Sequence, residues 1–197
     1  MKIGGLNRFS LIDYPGHVAA VLFTQGCNFR CPYCHNPELV YPDQYGAPVP
    51  DAEIEAFLQK RRGQLDGIVL SGGEPTLHSD LPELIAKIRW YGYKVKLDTN
   101  GTNPDMLGLL LKKEQLDFVA MDIKAPMGKY ALLSGVKADT SALRESIAAL
   151  KTCSVPHEFR ITLDTRFLTT GDLAEIYRFT KPDSLTVNPC QPQKEKS

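Results

Sequence analysis

Three of the chain's five cysteines fall within one eight-residue stretch, Cys27-Asn28-Phe29-Arg30-Cys31-Pro32-Tyr33-Cys34, spaced C-x3-C-x2-C. Three thiolates that close together can grip one soft metal centre. Their number carries information. Structural zinc takes four Cys or His ligands, and a cubane iron–sulfur cluster is ordinarily held by four Cys. A three-Cys loop leaves a metal position open, and an open position is what chemistry uses. The plainer alternative is a structural zinc knuckle completed by His35.

The elements that must position this loop alternate between strand and helix patterns. His17 to Thr24 is an apolar run that ends at Gln25-Gly26, just before the first clustered cysteine, so it reads as a strand delivering its C-terminal end to the metal loop. Residues 36–50 are rich in proline and read as a loop. Asp51 is the expected cap of a helix carrying Ile54, Phe57 and Leu58 on one face and stopping near Gly63. Gly67 to Leu70 is a short strand leading into Ser71-Gly72-Gly73-Glu74-Pro75, and Leu81, Leu84, Ile85 and Ile88 have helical spacing. Tyr93 to Leu97 runs as a strand into Asp98-Thr99-Asn100-Gly101. Asn103-Pro104 starts a helix with Met106, Leu109 and Leu110 on one face. Phe118 to Ile123 is a strand ending at Lys124-Ala125-Pro126, and Thr140 is the expected cap of a helix bearing Leu143, Ile147 and Leu150. Glu158 to Leu163 reads as a strand, Asp172 to Phe179 as a helix and Ser184 to Val187 as a last strand.

That makes about six βα units in one direction, the pattern of a parallel sheet wrapped by helices. A closed eight-unit barrel usually needs about 250 residues. The 197 here suit an incomplete, open-sided (β/α)6 barrel of the TIM type, with an open doubly wound sheet as the alternative. One domain over residues 1–190 and a polar tail over 191–197 are expected. In either architecture, sites form where parallel strands end. The stretches Cys27–Cys34, Gly72–Pro75, Asp98–Gly101 and Asp122–Lys124 all lie there, with Arg160 inside a strand of the same sheet.

Composition narrows the class. Lys+Arg and Asp+Glu are both 23, so nothing in the charge argues for nucleic acid or an acidic membrane surface. Met1 to Asn7 holds no apolar run of signal-peptide length, and no stretch approaches the roughly 20 apolar residues of a membrane span. A soluble cytoplasmic protein is expected, with its cysteines in a reducing compartment and used for metal binding.

Taken together, the motifs resemble those of the radical S-adenosylmethionine enzymes. The C-x3-C-x2-C loop with Tyr33 before its last Cys looks like that superfamily's cluster loop, and Gly72-Gly73-Glu74-Pro75 like its methionine-binding turn. Asp13-Tyr14-Pro15-Gly16, Gln25-Gly26-Cys27-Asn28, Cys34-His35-Asn36-Pro37, Leu97-Asp98-Thr99-Asn100-Gly101 and Met121-Asp122-Ile123-Lys124 resemble the glycyl-radical-enzyme activases within it. Among these the likeness is greatest to activating proteins of anaerobic ribonucleoside-triphosphate reductase, and it runs from about Gly4 to Arg160. The chain beyond Cys190 is shorter than that likeness leads one to expect.

The resemblance implies an oxidoreductase holding one 4Fe-4S cluster on Cys27, Cys31 and Cys34, since residues 36–50 carry no cysteines for further clusters. It implies that the fourth iron is chelated by the amino and carboxylate groups of S-adenosylmethionine. An electron then breaks a carbon–sulfur bond of the sulfonium, and the resulting 5′-deoxyadenosyl radical takes hydrogen from a glycine of a partner enzyme. The cofactors carry the chemistry, so no catalytic side chain is expected beyond the cluster and S-adenosylmethionine site. By the same resemblance, Tyr33 packs near the adenine, and Gly72 and Gly73 let the backbone meet the methionine ammonium. Glu74 steadies that turn or the ammonium. Asp98, Thr99 and Asp122 surround a monovalent cation near the methionine end, Lys124 meets a carboxylate or ribose, and Arg160 faces the site. A low-potential flavodoxin or ferredoxin is the implied electron donor.

Blander roles stand beside these. Asp98 and Asp122 could be helix caps or surface charges, and Arg160 could serve a plain salt bridge. His35, His78 and His157 read as structural, Cys153 and Cys190 as small buried hydrophobes, and Trp90 as packing. Two other functions fit less of the sequence. One is a radical enzyme acting on a small molecule, like 7-carboxy-7-deazaguanine synthase. The other is a non-catalytic iron–sulfur electron-transfer module.

Overall fold

The computed structural model describes residues 1–181 and 185–190. Seven strands join one sheet in the order in which they occur along the chain: β1 (Ile3–Ser10), β2 (Ala19–Thr24), β3 (Gly67–Gly72), β4 (Lys94–Thr99), β5 (Phe118–Asp122), β6 (His157–Leu163) and β7 (Leu185–Pro189). The strands from β2 to β7 run parallel, and β1 adds antiparallel to β2. Crossovers pass through α1 (Pro37–Val40), α2 (Asp51–Arg61), α3 (Leu81–Trp90), α4 (Pro104–Lys112), α5 (Tyr130–Ser134), α6 (Thr140–Thr152) and α7 (Thr170–Thr180). The edge strands β1 and β7 do not pair, so the barrel is open, as the six-unit pattern predicts.

Strand alternation sorts side chains into two layers. Ala20, Leu22, Ile68, Leu70, Val95, Leu97, Val119, Met121, Phe159 and Ile161 point outward into the main core under the helices. Ala19, Val21 and Val69 point inward and pack with Tyr14, Phe23 and Phe118, closing the barrel floor at the N-terminal ends of the parallel strands. Chemistry is therefore confined to the other end, where the strands deliver their last residues.

Several expectations need correction. No strand was expected at Ile3–Ser10, because Gly4, Gly5 and Asn7 dilute its alternation, and its pairing with β2 has two register shifts. The 36–50 loop contains two helical turns, α1, seated by buried Leu39 and Val40, and a 3-10 turn at Pro42–Gln44. The short helix α5 was not anticipated. Asp51 and Thr140 are not caps but first helical residues. Pro50 precedes α2, and Asp139 caps α6 by accepting from Ser141 N at 2.9 Å. Asn103 does cap α4, accepting from Met106 N at 3.1 Å, but Leu107 rather than Leu109 turns inward with Leu110.

Trp90 is 72% exposed and touches Tyr91 edge-on, so it is not core packing. Cys153 and Cys190 are half-buried rather than buried. Ser184 and the tail 191–197 lie outside the described residues. Among the described residues, no helix is long and apolar enough to cross a membrane.

The identity of the α6 cap is testable. Asp139→Ala is expected to cost about 1 kcal/mol in urea unfolding, whereas Thr140→Ala changes stability by less than about half that. Equal losses would return the cap to Thr140.

Candidate functional site

The cysteine loop is folded by its non-cysteine residues. Phe29 is buried against Tyr130 with ring centroids 6.1 Å apart, which pins the loop to α5. Arg30 N donates to Ser134 O at 2.7 Å, and the Arg30 guanidinium donates to the Cys27 and Phe29 carbonyls at 2.7 Å each. The arginine thus satisfies backbone groups inside the turn and leaves the thiols to face the cavity.

Two glycines let the next rim segment approach this loop. Gly72 has φ +110°, and a Cβ there would meet Thr24 O at 2.7 Å. A Cβ on Gly73 would collide with the Gly26 carbonyl. Close contact is then used: Gly73 N donates to Thr24 O at 2.9 Å and Glu74 N to Gly26 O at 2.8 Å. The Glu74 carboxylate is buried and accepts from Thr76 N (3.1 Å), Thr76 Oγ1 (2.6 Å), Thr99 Oγ1 (2.7 Å) and Asn100 N (2.6 Å). Asn100 Nδ2 then donates to Asn28 Oδ1 at 2.9 Å, returning to the cysteine loop. Of the two roles open to Glu74, these contacts give it that of steadying the turn.

Below the rim, charges from three strands interlock. Asp98 Oδ1 accepts from Lys96 Nζ at 2.5 Å, and Asp98 Oδ2 lies 3.4 Å from Arg160 Nη1. Arg160 Nε donates to Asp122 Oδ1 at 3.0 Å, and Lys124 Nζ to Asp122 Oδ2 at 3.1 Å. Register explains the reach. Asp122 pairs with Arg160, and Asp98 pairs with Ala120, whose methyl leaves room for the guanidinium to pass to β4. Burial works to raise the Asp122 carboxyl, but Lys124 and Arg160 outweigh it and hold it down at about 2. Burial likewise opposes the charge on Lys124, and Asp122 keeps it well above the ordinary lysine range.

All twelve site residues expected from the sequence line one cavity that is open to solvent: Cys27, Cys31, Tyr33, Cys34, Gly72, Gly73, Glu74, Asp98, Thr99, Asp122, Lys124 and Arg160. His35, Asn100 and Thr162 share its wall. His78 and His157 instead bond backbone carbonyls of Gln25 and Val155. The sequence reading missed Lys96, whose side chain is 1% exposed, and gave no role to Asn28 or Asn100. Its signal was there: a lysine two residues before Asp98 shares that residue's face of the strand.

The donor set fits an iron–sulfur cubane with an organic ligand beside it. None of the five cysteines forms a disulfide. Burial pushes the Cys27 thiol up to about 11 and raises Cys31 as well, so their thiolates need a cationic centre to form at neutral pH. Among the described residues, no three His, Cys, Asp or Glu side chains close on a point for a single ion. A cubane spreads its thiolates over separate irons, so its ligands line a wall instead of meeting at one point. The Tyr33 hydroxyl is buried in the same wall with no hydrogen-bond partner, which leaves a polar group for a ligand to meet.

Comparison with known proteins agrees with this chemistry. The model of the radical SAM superfamily matches residues 21–179. A Methanocaldococcus jannaschii protein that carries the provisional name glycyl-radical enzyme activating enzyme is 33% identical over 186 residues, covering 91% of this chain and 75% of that one. The 7-carboxy-7-deazaguanine synthase of Methanopyrus kandleri is 31% identical over 149 residues, 62% of this chain and 58% of that one. Among solved structures, native anSMEcpe with bound AdoMet and Kp18Cys peptide shares the fold at TM-score 0.66 and 19% identity. That match covers 88% of this chain, which spans about half of anSMEcpe, 52%.

The ion pairs set a pH dependence. A carboxyl held at about 2 in the folded chain, against 3.8 ordinarily, stabilises the fold above about pH 4 and loses that contribution as pH falls toward 2. The stability gap between wild type and Asp122→Asn, from urea unfolding at stepped pH, should be constant above about pH 5 and shrink below 4. A gap independent of pH would contradict the pairing.

Proposed function

This chain belongs to the radical SAM superfamily, and on that premise we propose that it is a glycyl-radical-enzyme activase acting on anaerobic ribonucleoside-triphosphate reductase. The observation that carries the proposal is the extent of likeness. Similarity to the methanococcal activating enzyme runs through 91% of the chain and takes in every rim segment, against 62% for the deazaguanine synthase.

The proposed roles follow the cavity wall. Cys27, Cys31 and Cys34 hold the 4Fe-4S cluster. Gly72 and Gly73 present backbone groups to the methionine end of S-adenosylmethionine, and Glu74 fixes their turn. Tyr33, with its unpartnered hydroxyl, meets the adenosyl end. Lys124 and Arg160 face the carboxylate and ribose. By the resemblance a monovalent cation is one expectation beside Asp98, Thr99 and Asp122, and what the proposal requires there is positive charge. When bound, the cluster and S-adenosylmethionine supply the reductive cleavage and the hydrogen abstraction. The chain binds, orients and shields them. A low-potential flavodoxin or ferredoxin would deliver the electron, in the cytoplasm, where an oxygen-sensitive cluster is best kept. We assign the whole activity to one core spanning residues 1–190.

The likeness to the deazaguanine synthase supports a second proposal, a radical enzyme acting on a small molecule. One assay series separates the two. Protein reconstituted anaerobically with iron and sulfide, then reduced, should release 5′-deoxyadenosine from S-adenosylmethionine, and Cys31→Ala should fall to background. Added anaerobic ribonucleoside-triphosphate reductase should then show a glycyl radical by electron paramagnetic resonance. Deoxyadenosine without a protein radical would favour the small-molecule enzyme. No deoxyadenosine from protein holding a full cluster would sink both.

A further inference from the structure

We propose that Lys96 and Arg160 are this chain's built-in substitute for a dissociable cation at Asp98 and Asp122, so that no sodium or potassium ion binds there. The oxygens a free cation would need are already engaged. Asp98 offers Oδ1 to Lys96 and Oδ2 to Arg160. Asp122 offers Oδ1 to Arg160 and Oδ2 to Lys124. The Thr99 hydroxyl donates to Glu74 at 2.7 Å and accepts from Gly101 N at 3.1 Å. The donor set therefore does not fit an added monovalent ion.

Charge points the same way. Lys96, Arg160 and Lys124 already pair with the two carboxylates, and Glu158 adds a further attraction on Arg160. A further cation at Asp98 and Asp122 would sit against these three positive groups, where water screens poorly. Nor can Lys96 step aside. Its side chain is 1% exposed and its ammonium lies 6.0 Å from the Phe118 ring centroid, over the apolar barrel floor. Among the described residues, Asp98 is the one carboxylate within ion-pair reach of it. Displacing it from Asp98 would strand a buried ammonium, which costs far more than the ion could return. Lys96 is thus a positioning residue: it holds Asp98, and through Asp98 the guanidinium of Arg160.

The proposal rests on the S-adenosylmethionine assignment only for what the charge serves. Cation binding is read without that ligand, so failure of the cleavage assay and failure here are separate results. The test uses the full chain with its reconstituted, oxidised cluster. Two probes are read: the sodium NMR line width, and the unfolding midpoint in sodium, potassium or N-methylglucamine chloride at one ionic strength. Wild type should show equal midpoints and no saturable sodium broadening. Lys96→Met removes the charge but keeps the length. It should gain a midpoint that rises with sodium and a saturable sodium broadening. Saturable sodium binding by wild type overturns the proposal whether or not the variant folds. A folded Lys96→Met indifferent to sodium overturns it too, because the ammonium would then stand in no cation's place.

Discussion

Glu74 sets a carboxylate in a place 1% exposed to water and surrounds it with donors from two strand ends. Burial raises its pKa, and its hydrogen bonds to Thr76, Asn100 and Thr99 pull the other way. A charge held like this adds little net stability, because desolvation offsets much of what the bonds return. Its effect is on geometry. Removing it would leave the Asn100 amide and two threonine hydroxyls without acceptors in a dry site. The cysteine loop, the Gly72–Glu74 turn and the Asp98–Gly101 segment are hydrogen-bonded into a ring through this group and through Asn28–Asn100. Moving any one rim segment disturbs the other two.

Inside that ring, polarity is graded along the barrel axis. Tyr14, Val21, Val69 and Phe118 fill the floor. Lys96 links this apolar layer to the charged one, its ammonium lying 6.0 Å from the Phe118 ring centroid and paired with Asp98. Above lie Arg160, Asp122 and Lys124, and at the rim the thiols. A closed eight-stranded barrel fills its interior with layers of side chains. Here the polar half is partly left as a cavity open to solvent.

The parallel strands were legible because each is a short apolar run broken by Gly, Pro or Asp at the point where it reaches the rim. Convergence of the site then follows from topology, since parallel strands deliver their C-terminal ends to one side. What stayed hidden depended on tertiary partners. β1 is a strand because β2 offers it an edge, not because Gly4-Gly5 favours extension. Asp139 outcompetes Thr140 as a cap because its carboxylate reaches two backbone amides from one residue further out. Alternation puts Lys94 and Lys96 on the same face of β4 as Asp98, and only the folded barrel separates them, burying Lys96 while Lys94 stays exposed. Trp90 erred in the opposite direction, since a large apolar side chain at a helix's last residue need not face the core.

Lys96, Asp98, Arg160, Asp122 and Lys124 together run against what stability alone would select. Replacing buried ion pairs with well-packed apolar residues is often neutral or stabilising. An apolar residue at position 96 would extend the floor formed by Phe118 and Val69 by one more layer. What it could not do is hold Asp98 against Arg160 while leaving the space above them empty. Locally consistent sequences break their own rules where a site needs it. A fully buried lysine two residues before Asp98 in β4 is such a break, and it lies beneath the cavity that the cysteines, glycines and carboxylates share.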